Sequence, residues 1–98
     1  MTLTEFIESI DQSDLPSEGL STALQALWYE RKGDWYRAHQ IAQNIHTPEG
    51  AWIHAYLHRK EGDLSNACYW YNCADRPKSN QELGKEWEEI TNHLLKKK

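Results

Sequence analysis

A thirteen-residue pattern occurs twice in this chain, 29 residues apart, and it constrains the fold more than any other feature. The stretch from Ala26 to Ala38 (ALWYERKGDWYRA) returns as Ala55 to Ala67 (AYLHRKEGDLSNA). The identical positions are Ala26/Ala55, Gly33/Gly62, Asp34/Asp63 and Ala38/Ala67. Small residues sit where two helices must approach closely, and Gly-Asp sits where one helix must stop and the next begin. A repeat of this length is the mark of stacked helical hairpins.

Local signals fill in the elements. Leu3, Phe6, Ile7 and Ile10 make an apolar stripe on a first helix from about Thr4 to Gln12, broken by Ser13-Asp14-Leu15-Pro16-Ser17. A second helix starts near Ser17 or Glu18 and carries Leu20, Ala23, Leu24, Leu27 and Trp28. Gly33 ends it, because a glycine takes the left-handed conformation of a helix stop without steric penalty. Asp34 then caps a third helix holding Trp35, Ala38, Ile41, Ala42 and Ile45. Thr47-Pro48 opens a fourth helix that runs to about Glu61, Gly62-Asp63 repeats the stop and cap, and a fifth spans roughly Leu64 to Ala74. Ser79 and Glu82 have the spacing of a capping box before a last helix striped by Leu83, Trp87, Ile90 and Leu94. No segment alternates with period two, so the expectation is an all-α domain of antiparallel hairpins with flanking N- and C-terminal helices. It is one domain over 1–98, with units at about 20–46 and 48–77 and capping helices at about 4–12 and 80–95.

Composition agrees. The chain has no valine, 39% apolar and 27% charged residues, and five Trp and five Tyr against one Phe. A net charge of −4 argues against a general nucleic-acid or anionic-membrane binder. The acidic residues of 1–30, Glu30 among them, read as a solvated acidic face, and Lys96-Lys97-Lys98 as a basic helix end. Neither a membrane span nor a signal-peptide layout is present. Cys68 and Cys73 lie five apart on one helix, where their side chains diverge, so reduced thiols and a cytoplasmic location are expected.

Read as helix-turn-helix units, residues 20–77 resemble tetratricopeptide repeats. The resemblance rests on Ala26 and Ala55, the Gly-Asp turns, Ala38 and Ala67, Tyr29 in the aromatic slot before the first turn, and Tyr71, Ala74 and Pro77 late in the second unit. The spacing of 29 is shorter than that family's, His58 replaces the aromatic of the second unit, and there are only two units. The segment from Ala51 to Asp63 with Tyr69-Trp70-Tyr71 is also similar to a small bacterial protein family that brings no known activity with it. The tetratricopeptide resemblance implies a non-enzymatic module that meets a protein or peptide partner on the inner face of each first helix. On the second unit that face holds Glu49, Trp52, Tyr56, Arg59 and Lys60, two rings and a cation in one stripe, suited to an acidic peptide or partner helix. Trp52 and Tyr56 packing beneath the last helix is the competing reading, and homo-oligomerisation through the aromatic surface is the competing function.

Chemistry is sparse by contrast. His54 and His58 at i, i+4 have the spacing of a shared metal ion, for which Cys68, Glu61, Asp63 or His39 would have to supply a third ligand. The repeat register turns both towards a neighbouring helix, which favours packing, so no metal or other cofactor is assigned. No nucleophile motif and no phosphate loop are present, and no catalytic residue is expected. Glu86, Glu88 and Glu89 read as a solvated face, and Arg76-Pro77-Lys78 beside Tyr69, Trp70 and Tyr71 is a weak base-stacking candidate.

Overall fold

The computed structural model describes residues 1–97, so the last of the three terminal lysines lies outside it. Six α-helices form among the described residues, and no strand does: α1 (Leu3–Gln12), α2 (Thr22–Lys32), α3 (Trp35–Ala42), α4 (Pro48–Glu61), α5 (Leu64–Cys73) and α6 (Leu83–Lys96). The Gly-Asp turns act as read. Gly33 and Gly62 are left-handed, with φ of 105° and 89°, and the Asp34 and Asp63 carboxylates accept from the Arg37 and Asn66 amides. The pairs joined by these turns, α2 with α3 and α4 with α5, pack most closely, and all four repeat alanines are buried at their contacts.

Helix boundaries differ at three places, each for a local reason. The second helix begins at Thr22 rather than Ser17 or Glu18, because Gly19 is left-handed and the Ser21 hydroxyl caps the Leu24 amide. The third ends at Ala42, leaving Ile45 in the connection to α4. The Ser79–Glu82 capping box does not form. Helix α6 starts at Leu83 with Glu82 as an N-cap that makes no side-chain bond, while the Arg59 guanidinium holds the Gln81 carbonyl just upstream. A capping box occurs instead at α1, where Thr2 and Glu5 exchange bonds of 3.1 and 2.8 Å.

Helix α4 is the centre of the molecule. It meets α2, α3, α5 and α6, and every residue from Gly50 to His58 is buried. A helix surrounded this way has no free face to be amphipathic about. Helix α6 lies against both α2 and α4, and α1 completes that side. Trp87 anchors the arrangement: it stacks on Phe6 with ring centroids 5.9 Å apart and donates its indole N–H to the Leu27 carbonyl at 3.1 Å.

Candidate functional site

The stripe on α4 faces two buried carboxylates. Glu86, from α6, accepts from the Trp52 indole at 3.2 Å, the Tyr71 hydroxyl at 2.6 Å and the Arg59 guanidinium at 2.8 Å. Glu30, from α2, accepts from the Tyr56 hydroxyl at 2.9 Å and pairs with the Lys60 ammonium. The sequence suggests a solvated position for both acids, and the structure corrects this: Glu86 is 1% and Glu30 4% exposed. A buried carboxylate survives only when paired and hydrogen-bonded, and these two are. Burial, with the adjacent carboxylate adding to it, raises the Tyr56 and Tyr71 hydroxyls far above their ordinary range, so both remain donors.

Trp52 is enclosed from further sides. The Arg76 guanidinium lies 3.4 Å from its ring centroid and the His93 ring meets it edge-on at 5.7 Å. Trp52 and Tyr56 are thus buried, Arg59 and Glu49 are partly buried, and Lys60 is exposed. Glu49, in the first turn of α4, pairs with Lys97 at 2.9 Å and lies 3.6 Å from His93. The Lys97 hydrogen bond holds the Glu49 carboxyl down at about 2, well below its usual range. The sequence brings these five residues onto one helix, while the structure shows that four of them, Trp52, Tyr56, Arg59 and Lys60, spend polar atoms on the two buried carboxylates.

A second constellation lies on the opposite side of α4. His54 and His58 meet His39 of α3, with His54 Nε2 and His39 Nε2 3.0 Å apart. The rings are held by neighbours: Trp70 stacks on His54 at 3.9 Å, and Trp35 stacks on His39 at 5.0 Å. Trp35 is itself fixed by an indole bond to the Leu57 carbonyl at 3.0 Å. His58 Nδ1 and the Glu61 carboxylate are 2.6 Å apart. Of the partners open at the sequence level, His39 is the one that joins both α4 histidines, whereas Asp63 approaches only His58 and Glu61, and Cys68 joins neither group among the described residues.

Two further surfaces complete the inventory. An open recess of about 540 Å³ lies between the N-terminal ends of α2 and α4 and the C-terminal end of α6, lined by Leu20, Ala23, Leu24, Ile45, Leu94 and Leu95. Tyr69, Trp70 and Tyr71 do not form a common face: Tyr71 is buried, Trp70 covers His54, and Tyr69 points outward. Arg76 is spent on Trp52, so the base-stacking clamp is not assembled.

Sequence reasoning missed Glu30 and Glu86 because their partners come from 15 to 34 residues away, on other helices. The one available signal was that each sits three residues from a core position of its own helix, Leu27 and Leu83, rather than opposite it. No protein-family model matches this chain, and neither a curated protein nor a solved structure matches it.

Proposed function

We propose that this chain is a non-enzymatic interaction module of tetratricopeptide-like build, working in the cytoplasm of a bacterial cell. On this reading it receives a partner helix or peptide at the open end of the face shared by α2 and α4. The observation that carries the reading is α6. Along most of that face lies a helix whose Trp87 fills the apolar slot and whose Glu86 meets an arginine and two aromatic donors. The face therefore has the chemistry of a helix receptor, and its own last helix takes up the part lined by Trp52, Tyr56 and Arg59.

What α6 leaves uncovered is the apolar recess at its C-terminal end, with the Glu49–Lys97 pair at the rim. An aliphatic or aromatic anchor suits such a recess, and truncating an anchor of this kind typically costs about 2 kcal/mol of binding. Trp52, Tyr56 and Arg59 then shape the face from within, Lys60 pairs with Glu30 from the surface, and Glu49, at the recess, is the member of the stripe placed to meet the partner. The free thiols Cys68 and Cys73, and the lack of any described helix long and apolar enough to cross a membrane, accord with the cytoplasmic setting.

A photo-cross-linking side chain at position 95, compared in cells with one at exposed Tyr36, tests the reading. The expected result is one discrete adduct from position 95 that Leu20→Asp abolishes. No adduct, or the same adduct from both positions, contradicts it. An adduct of twice the chain's own mass identifies a second copy as the partner.

A further inference from the structure

The imidazole cluster offers something the interaction surface does not. One ring nitrogen from each of His39, His54 and His58 lies within 4.8 Å of the other two. Two nitrogens at tetrahedral positions on a zinc ion stand about 3.3 Å apart, given Zn–N bonds of about 2.0–2.1 Å. The 3.0 Å between His54 Nε2 and His39 Nε2 is already on that scale. His39 is only partly buried, so the cluster reaches solvent on the α3 side.

We infer that His39, His54 and His58 form a binding site for one divalent transition-metal ion of the zinc, nickel or copper class, with Glu61 orienting His58. Glu61, one turn along α4, meets His58 from the solvent side. A carboxylate accepting from His58 Nδ1–H places the ring's lone pair on Nε2, and a histidine held this way is the usual second layer of a metal site. Trp35 and Trp70 fix the planes of His39 and His54 from outside the cluster. Three imidazoles with no carboxylate or carbonyl among them suit these borderline ions rather than calcium or magnesium. Three protein ligands also leave a fourth position for water.

Calorimetric titration of zinc chloride into the full chain, stripped with a chelator and dialysed, tests the inference. The expected isotherm saturates at one ion per chain. His39→Gln, at a partly exposed position the fold tolerates, weakens binding at least about tenfold, as loss of one ligand in three requires. Glu61→Gln weakens it about 10- to 100-fold. His93→Gln, on α6, leaves it unchanged. Circular dichroism confirms that each variant is folded. Absence of saturable uptake overturns the inference, and so does wild-type affinity in His39→Gln or Glu61→Gln, or an equal loss in His93→Gln.

Discussion

His54 lies stacked between Trp70 and His58 and meets His39 edge-on, a setting that penalises the imidazolium. Its pKa falls from 6.5 to about 4, through burial first and then through His39 and His58. Between those values the unfolded chain takes up a proton that the folded chain refuses. Stability is therefore full above about 6.5 and drops as the pH falls towards 4. His39, lowered for the same first reason, adds to the effect, while Glu61 beside His58 opposes protonation's penalty at His39. The Glu49 carboxylate contributes in a separate, more acidic window, from 4.5 down to about 2. Urea midpoints for the metal-free chain should fall between pH 7 and pH 5, and His54→Gln should flatten that fall. Parallel curves for the two proteins would mean that His54 is not held in the neutral form.

At the scale of elements, two glycines do opposite jobs. Gly62 stops α4 in the left-handed region with no atom near where a side chain would start. An added methyl group there meets only backbone strain, about 1–2 kcal/mol for a left-handed L-residue. Gly50 is helical, but its missing Cβ is where the chain from α3 crosses: a carbon built there falls 2.7 Å from the Ile45 Cβ and still nearer the Ile45 carbonyl. Gly50→Ala must push the connection off α4, an overpacking penalty of typically about 1–3 kcal/mol. Urea denaturation should therefore rank Gly50→Ala as at least as damaging as Gly62→Ala, and a neutral Gly50→Ala would show that the connection is not seated on α4.

The contrast between these glycines shows what a reader of the sequence can see. Gly62 announces itself, because Gly-Asp is a local device whose meaning depends on its neighbours in the chain, and the hairpins and the start of α4 at Pro48 were legible for the same reason. Gly50, Glu30 and Glu86 get their roles from residues brought up by other helices, and no local pattern distinguishes them from a helical spacer or a solvated acid. The i, i+4 histidines were visible; the third, His39, was one option among four until α3 was laid against α4. Trp52 and Tyr56 formed a plausible stripe on a helix drawn alone. They lose their exposure because α4 has four neighbours.

For the whole molecule, the decisive relation is between α6 and the face of α2 and α4. If α6 is clamped there by Glu86, partners are confined to the recess at its end and to the outer surfaces. If it is loose, the stripe of Trp52, Tyr56 and Arg59 becomes available. Arg59 and Glu86, with 16% and 1% of their side chains exposed, are the pair that joins the two elements. A double-mutant cycle with Arg59→Ala and Glu86→Gln, read by urea denaturation, isolates their coupling from the other bonds Glu86 makes. The clamped arrangement predicts a favourable coupling above about 1 kcal/mol, well over the few tenths usual for a solvated ion pair. Additive effects within about 0.3 kcal/mol would contradict it and place α6 off the groove.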